Sequence, residues 1–237
     1  MEKYKRFFVE KIEDIVTIKD EEFRHAVNVL RVKENDKVLL LDNTQYEYLG
    51  VVVKIDKKFM TVKIIDKYEN LLESKNDILL IAGYLKGDKT ELVVQKAVEL
   101  GVKDIVVFNS KYSSAYINEN KLERLNKVSQ EASKQCGRSI YPKVSFLAFE
   151  DAIKYANNYK NKLFACEFAS ENKVAFEKLA GSTAIVVGSE GGFSEEEFEF
   201  ATDNGFETVS LGKRILRADT ASIVLVGIVA KMLGDLE

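Results

Sequence analysis

The chain has 237 residues, enough for one large domain or two small ones. Of these residues, 46% are hydrophobic and 31% are charged, a balance that is typical of folded proteins and excludes a disordered polymer. Its formal net charge of −3 gives no general signal of nucleic-acid binding. The apolar stretches are far shorter than the ~20 residues of a membrane helix, and the N-terminus lacks a secretory signal. Two cysteines are too few for a zinc cluster or a disulfide framework. We therefore expect a protein of the reducing cytoplasm.

The N-terminal part of the chain is predicted to form a small β-barrel. Short β-branched and aromatic runs are separated there by polar turns, a pattern typical of such barrels. The predicted strands are residues 6–9, 37–42, 48–55 and 60–65. One helix over residues 21–30 is predicted between them, with Asp20 as its N-cap. Residues 68–77 lose the alternation and form the predicted linker, which divides the chain into domains of residues 1–70 and 71–237.

From Ile78 onward, predicted strands alternate with predicted helices. The strands are residues 78–82, 105–108, 163–165, 184–187 and 208–211. The helices are residues 88–100 and 119–136, with an apolar helix that begins at about Thr220. Buried strands that alternate with helices predict an α/β fold with a mainly parallel sheet covered on both faces. Ligands of such sheets bind beyond the carboxyl ends of the strands.

A glycine-rich turn, Gly188–Gly192, follows one of the late strands and precedes a helix. A Rossmann dinucleotide site would carry its glycines after the first strand of this fold. The segment 83–90 lacks the Gly-x-Gly-x-x-Gly pattern, however, and Asp88 breaks the Walker A pattern. These observations argue against an ordinary dinucleotide or ATP site and place the candidate ligand site late in the chain, where glycines let the backbone approach a ligand closely.

The helix after this turn begins with a predicted capping box, in which Ser194 and Glu197 bond to each other's backbone amides. Three acidic residues in the first helical turn occupy the positive end of the helix dipole and disfavour a phosphate there. A neutral or cationic ligand therefore fits the turn better than an anionic one. A tight strand-to-helix turn that binds nothing would have the same sequence.

Several sequence motifs occur in a distinctive order along the chain. They are Lys86–Lys89 with Gln95–Gly101, Gln135–Arg138, Gly188–Ser194 and Leu211–Ala221, preceded by Arg6–Val9 and His25–Arg31. Together they cover nearly the whole chain and resemble the RsmE family of SPOUT-class methyltransferases, which methylate N3 of a uridine in 16S ribosomal RNA. The chain departs from the family pattern at three positions: Ser189 replaces a usual proline, Ala218 a common threonine and Asp219 a glutamate.

The resemblance implies a C-terminal SPOUT α/β domain with a deep trefoil knot, a small N-terminal PUA-like β-barrel, and a homodimer in which the two knots pack together. It implies S-adenosylmethionine as the cofactor and 16S rRNA, or the small ribosomal subunit, as the partner. By motif match, the cofactor is lined by the end of strand 163–165, the glycine turn and the loop 211–217. The implied cofactor-binding residues are Cys166, Glu167, Val187, Gly188, Ser189, Glu190, Gly191, Gly192, Leu211, Gly212, Ile215, Leu216 and Arg217.

Methylation of uracil N3 sets requirements for the catalytic residues. N3 must lose its proton, and a carboxylate within hydrogen-bond reach can take it, for which Asp219 is the candidate. An arginine can stabilise the anion that forms on the uracil oxygens, for which Arg217 and Arg138 are the candidates. Each has a structural alternative: Asp219 as a helix N-cap, Arg138 as a ligand of helix C-terminal carbonyls, and Arg217 as an ion-pair partner of Asp219. This chemistry requires neither a metal ion nor a covalent intermediate.

The barrel is the predicted RNA-grasping module. Its candidate RNA contacts are Arg6, Arg24, His25 and Arg31. The segment 103–143 holds eight basic and four acidic residues, an excess that can meet a polyanion, whereas residues 150–207 hold five lysines and twelve acidic residues. Solvated helix surfaces would give the same counts. Two other functions stay open: a SPOUT methyltransferase that acts on another RNA, such as a tRNA, and a non-catalytic RNA-binding or assembly protein.

Overall fold

The computed structural model describes residues 4–166 and 176–236 and divides the chain into two compact units. The first unit comprises Met1–Glu73 together with Ser133–Tyr141, and the second comprises Ser74–Ala132 together with Pro142–Glu237. The short second segment of the first unit includes the end of the helix predicted over residues 119–136, which the sequence pattern assigns to the C-terminal domain. None of the helices in the described ranges has the combined length and apolar composition that a bilayer span demands.

The first unit contains a curled, five-stranded half-barrel. Its strands are β1 (Lys5–Phe8), β2 (Ile15–Lys19), β3 (Lys37–Leu41), β4 (Tyr46–Ile55) and β5 (Phe59–Glu69), in the spatial order β1-β3-β4-β5-β2. β1 pairs with β3 in parallel, and the other pairs are antiparallel. Alternate residues face a core that includes Phe7, Leu40 and Met60, each fully buried. The four predicted strands are confirmed. The sequence pattern does not predict β2. Val16 and Ile18 are its buried residues, but Ile15 is also apolar although it is 56% exposed, so apolar and polar residues do not alternate cleanly in the sequence.

Helix α1 (Asp20–Arg24) continues as a π-helical turn over His25–Val29. The predicted cap is wrong: the N-cap residue is Lys19, no side chain caps the helix, and Asp20 has a φ of 56°. Phe23 and Ala26 are buried in the core of the half-barrel. Packing, therefore, and not capping, holds this short helix in place.

The second unit contains a six-stranded sheet in which every pair of neighbouring strands is parallel. Its strands are β6 (Ile78–Gly83), β7 (Asp104–Phe108), β8 (Val144–Phe146), β9 (Asn161–Ala165), β10 (Thr183–Val187) and β11 (Glu207–Val209), in the order β11-β9-β10-β6-β7-β8. Its helices are α2 (Lys89–Glu99), α3 (Glu119–Cys136), α4 (Phe149–Tyr155), α5 (Glu195–Asp203) and α6 (Ala218–Met232), with single 3₁₀ turns at Ala156–Asn158 and Phe176–Lys178. Every residue of β6 and β10 is buried, as in a sheet covered on both faces. The predicted α/β fold with a mainly parallel sheet is confirmed.

The strand order brings the late loops to one edge of the sheet. β10 lies between β9 and β6, while the following strand, β11, pairs with the far side of β9. The connection from β10 to β11, which contains α5, must therefore cross β9. Because β9, β10 and β11 pair in parallel, their carboxyl ends lie at the same edge of the sheet, which is where ligands of parallel sheets bind. The deep trefoil knot implied by the resemblance stays a prediction.

Candidate active site

A cavity of about 490 Å³ opens at the carboxyl ends of β9, β10 and β11. Its walls come from the end of β9, from the turn 187–193 and from the loop 209–218 that leads into α6. The volume is that of a site for a small organic ligand. The two late loops singled out in the sequence therefore enclose one space.

Of the thirteen predicted cofactor-binding residues, twelve line this cavity. They are Cys166, Val187, Gly188, Ser189, Glu190, Gly191, Gly192, Leu211, Gly212, Ile215, Leu216 and Arg217. The thirteenth, Glu167, lies outside the described residues. Sequence reasoning missed several lining residues, among them Lys89 from α2 and Phe193 from the turn. Lys89 is distant in sequence, and only the fold brings it here.

Two glycines let the backbone segments of this site approach each other closely. A Cβ added at Gly83, the last residue of β6, would lie 2.4 Å from the backbone nitrogen of Ser189. A Cβ added at Gly191 would lie 2.4 Å from the carbonyl oxygen of Tyr112, in the loop after β7. Neither space can hold a side chain without movement of the backbone. The turn 187–193 thus packs closely against the end of β6 and against the loop after β7.

Ser189, which stands where the resembled family has proline, has a defined set of contacts. Its hydroxyl lies 2.8 Å from the hydroxyl of Ser110, which lies 3.2 Å from that of Ser113. The Ser113 hydroxyl also accepts a hydrogen bond of 2.9 Å from the Ser110 amide. All three serines are buried. A hydroxyl network therefore joins the glycine turn to the loop after β7 at this departure from the family pattern.

A double-mutant cycle tests this network. We expect Ser189→Ala and Ser110→Ala each to lower the free energy of unfolding by about 1–3 kcal/mol, because each leaves a buried hydroxyl without its partner. The double variant should lose about 0.5–1.5 kcal/mol less than the sum of the single losses, since the two residues share one bond. Chemical denaturation of the four proteins measures the coupling. Additive losses would contradict the bond.

The helix after the turn begins as predicted. The Ser194 hydroxyl accepts from the Glu197 amide and the Glu197 carboxylate accepts from the Ser194 amide, which confirms the capping box. The Glu197 carboxylate also accepts a hydrogen bond of 2.9 Å from the Lys111 amide. Hydrogen bonds from its own amide, from Ser194 and from Lys111 lower the pKa of the exposed Glu196 to about 2. The start of α5 is thus tied to the loop after β7 as well.

The charges around the cavity are predominantly basic. Glu190 is the one acidic residue among its described lining residues, and its carboxylate accepts hydrogen bonds of 3.1 Å from the Lys86 amide and the Lys89 ammonium. Partial burial opposes ionisation, but bonds from its own amide and from these two lysines outweigh burial and lower the pKa of Glu190. Lys213 and Arg214 line the cavity and are exposed. The described lining residues therefore carry one carboxylate, which is ion-paired with Lys89, and an excess of cationic side chains that can attract an anionic ligand.

The catalytic candidates of the last loop occupy different positions. Arg217 lines the cavity and is the N-cap residue of α6. Asp219 is the second residue of the helix, so its predicted role as N-cap is wrong. Its Oδ1 atom is buried and accepts no hydrogen bond from the described part of the chain. Within the described ranges, no ion pair joins Asp219 to Arg217. The buried oxygen is a proton acceptor that lacks a donor.

Two of the predicted arginines are engaged inside the first unit. Arg138 is 4% exposed, and its Nε donates to Glu73 at 3.1 Å; it is absent from the lining of the cavity. The Arg6 guanidinium is ion-paired with Glu47 and donates to the carbonyl oxygen of Gly137 at 3.0 Å. The other predicted RNA contacts face outward: Arg24 and Arg31 are exposed and His25 is half-buried.

Comparisons with known proteins assign both parts of the chain. Residues 72–230 match the model of the RNA methyltransferase domain, and residues 18–65 match that of the RNA methyltransferase PUA domain. The chain is 32% identical to the ribosomal RNA small subunit methyltransferase E of Mesomycoplasma hyopneumoniae, over 93% of this chain and 96% of that protein. It is 29% identical to the protein of the same name from Bacillus subtilis, over 92% of this chain and 93% of that one.

Two solved structures are similar over nearly their whole length. A methyltransferase from Legionella pneumophila in complex with the cofactor SAM superposes with a TM-score of 0.90 at 26% identity, covering 98% of this chain and 99% of that one. The ribosomal RNA small subunit methyltransferase E from Neisseria gonorrhoeae, bound to S-adenosylmethionine, superposes with a TM-score of 0.88 at 27% identity, covering 99% of this chain and 100% of that one.

Proposed function

Because this chain belongs to the RNA methyltransferase family, we propose that it methylates N3 of a uridine in the 16S rRNA of the small ribosomal subunit, with S-adenosylmethionine as the methyl donor. The observation that carries the proposal is the cavity between the glycine turn and the loop 209–218. It occurs in a chain similar to named rRNA methyltransferases and to structures with bound S-adenosylmethionine. Because the proposed substrate is ribosomal, we propose that the protein acts in the cytoplasm.

The residues of the cavity fit this cofactor. A Cβ added at Gly192 or Gly212 would meet nothing within 4 Å, so both lining glycines leave the ligand space open. Backbone groups and apolar side chains such as Leu211 and Leu216 suit an adenosine without a phosphate anchor. The Glu190 carboxylate, which also accepts from Lys89, is the one negative charge among the described lining residues and can attract the cationic sulfonium. The bound cofactor would supply an electrophilic methyl group; the protein must supply position and proton transfer.

The residues at the start of α6 supply that chemistry in our proposal. Asp219 takes the proton from N3 in this proposal, since its Oδ1 accepts no hydrogen bond from the described residues. Because this oxygen is buried, bound RNA must displace the groups that cover it before N3 comes within hydrogen-bond reach. Arg217 lines the cavity and holds the uracil oxygen on which negative charge develops. The exposed Lys213 and Arg214 meet the phosphates next to the target nucleotide. Arg138 supports the fold of the first unit through Glu73.

In the first unit, we assign direct RNA contact to the outward-facing Arg24, His25 and Arg31. The contribution of Arg6 is indirect, because its guanidinium is held by Glu47. Truncation of Arg6 would leave the Glu47 carboxylate, which is nearly buried, with one fewer donor and would disturb the sheet beneath the RNA contacts.

Calorimetry and base mapping test the function. We expect the protein to bind S-adenosylmethionine with measurable heat and to transfer one methyl group to 16S rRNA or small subunits from a strain that lacks this protein. Mass spectrometry of nuclease fragments then locates the methyl group on N3 of a uridine. Absence of heat would favour a non-catalytic RNA-binding or assembly protein. Methylation of tRNA in place of rRNA would favour a related enzyme with another substrate.

The proposed enzyme is a homodimer in which α6 packs against α6 of a second copy. Val224 on this helix is 39% exposed, and a Cβ at Gly227, one turn further on, would meet nothing within 4 Å. Leu92 on the neighbouring helix α2 is 41% exposed. A monomer would leave these apolar positions of α2 and α6 in water, and an isologous contact between two copies would cover those of α6.

We expect Val224→Glu to convert the dimer into a monomer, because a carboxylate would be buried in the contact without a partner. Sedimentation velocity measures the mass, and circular dichroism checks that the variant is folded. Ile15→Glu is the matched control, since Ile15 is an exposed apolar residue of the half-barrel and its substitution should leave the mass unchanged. A Val224→Glu protein with the mass of a dimer would contradict this interface.

A further inference from the structure

Two tyrosine rings are exposed on the loop of residues 109–118, which connects β7 to α3. Tyr112 is 53% exposed and Tyr116 is 62% exposed. Exposed aromatic rings contribute little to the stability of a fold, because their apolar surface stays in contact with water. Neither the cofactor cavity nor the proposed dimer contact uses them.

The loop is closed and ordered by its own hydrogen bonds. The side chain of Asn109 accepts from the amide of Ile117 at 3.3 Å, which joins its two ends. The Ser113 amide donates to the Ser110 carbonyl oxygen at 3.0 Å and forms a tight turn between them. The Asn118 side chain accepts from the Lys121 amide at 3.0 Å at the start of α3. The backbone that carries the two tyrosines is therefore ordered before any ligand binds, which reduces the entropy cost of binding.

The same loop is joined to the wall of the cofactor cavity. The Ser110 hydroxyl bonds to that of Ser189, and the backbone of Tyr112 fills the space that a side chain at Gly191 would need. Ser189 and Gly191 both line the cavity. The loop that carries Tyr112 is therefore in direct contact with residues that line the cavity.

The charges of the loop indicate which part of an RNA it meets. The Lys111 ammonium is paired with Glu196 at 3.1 Å. The Lys121 ammonium donates to the Tyr116 carbonyl oxygen at 2.7 Å and lies 5.0 Å from the centre of the Tyr84 ring. Lys111 is the one charged residue of the loop 109–118 and is ion-paired, so the loop itself offers aromatic rings and little free positive charge. Such a surface binds unstacked bases and not the phosphate backbone.

We propose that the loop 109–118 is a stacking platform, on which Tyr112 and Tyr116 hold unpaired RNA bases that flank the nucleotide in the cavity. This inference rests on the proposed function and deepens it, since it names unpaired RNA as the form of the substrate. Stacking on tyrosine accepts any base, so the platform orders the strand while the cavity selects the uridine.

The test uses the full chain and 16S rRNA from a strain that lacks this protein. We expect Tyr112→Ala and Tyr116→Ala each to weaken RNA binding about tenfold, within the range for loss of one stacked base. Tyr112→Phe and Tyr116→Phe keep the ring and should bind as the wild type does. The slope of log K against log salt should be unchanged in the alanine variants, because no phosphate contact is removed. The affinity for S-adenosylmethionine and the mass of the protein should also be unchanged.

Tyr155→Ala is the matched control. Tyr155 is 50% exposed but bonds to Asp104 at the amino end of β7, the opposite edge of the sheet, and its loss should leave RNA binding unchanged. The platform is overturned if both alanine variants bind RNA as tightly as the wild type, or if the phenylalanine variants bind RNA as weakly as the alanine variants. It is also overturned if the alanine variants lose affinity only for assembled subunits, which would indicate a contact with a ribosomal protein. A wild type without methyl transfer would refute the proposed function separately, because the platform is judged on RNA affinity alone.

Discussion

Replacement of Asp219 by asparagine is expected to lower kcat by a factor of about 10²–10⁴, the usual contribution of a positioned general base. Asparagine keeps the size of the side chain but cannot take the proton from N3. The Kd for S-adenosylmethionine should change little, because Asp219 is absent from the lining of the cavity. Single-turnover methylation of 16S rRNA and calorimetry measure the two quantities separately.

Asp219→Glu provides the control, since it keeps the carboxylate and restores the residue of the resembled family. We expect this variant to retain most of the activity, whereas Asp219→Asn loses it at every pH. A purely structural role predicts a different result: asparagine is accepted in the first turn of a helix, so Asp219→Asn would then be nearly as active as the wild type. Equal activity of the two variants would remove Asp219 from the mechanism.

The second large effect is expected at Gly83, which neither touches the ligand space nor carries chemistry. In Gly83→Ala the new methyl group would lie 2.4 Å from the Ser189 nitrogen and 2.8 Å from the carbonyl carbon of Gly188, so the turn must move. We expect the Kd for S-adenosylmethionine to rise about 10- to 100-fold and the free energy of unfolding to fall by about 1–3 kcal/mol, the usual cost of overpacking. Calorimetry and chemical denaturation check the two effects.

Gly181→Ala is the control that separates strain from damage to the site. Gly181 precedes β10 at the other end of the strand and has a φ of 83°, so alanine there is strained, while its Cβ would have an ordinary contact of 3.6 Å with Lys160. We expect a loss of stability of about 1 kcal/mol and an unchanged Kd for the cofactor. If both variants weakened cofactor binding equally, general destabilisation and not displacement of the turn would be the cause.

Some features of the active site follow from local sequence. The capping box at Ser194 and Glu197 depends on residues three apart, and the buried strands β6 and β10 are short apolar runs. The clustering of the two late loops follows from a general rule, since the carboxyl ends of parallel strands share one edge. Glycine turns and strand ends can be predicted in this way because their causes lie within a few residues along the chain.

Other features depend on partners distant in sequence. Arg6 and Arg138 are of the residue type that commonly contacts RNA or substrate, yet their guanidinium groups are paired with Glu47 and Glu73. The sequence alone does not indicate that Ser189 bonds to Ser110, 79 positions away. The short edge strand β8, which the sequence pattern also misses, is fixed by its pairing with β7.

The sequence by itself determined the α/β architecture, the place of the candidate cofactor loops and the residue types available for proton transfer. The tertiary structure decided which of those residues are free to act. It engaged two arginines in ion pairs, placed Asp219 inside α6 with an unbonded oxygen, and left two tyrosine rings in solvent on the loop after β7. The physical reason is that the charge or ring of a side chain is a local property, whereas its burial and its partner are set by segments that meet only in the folded chain.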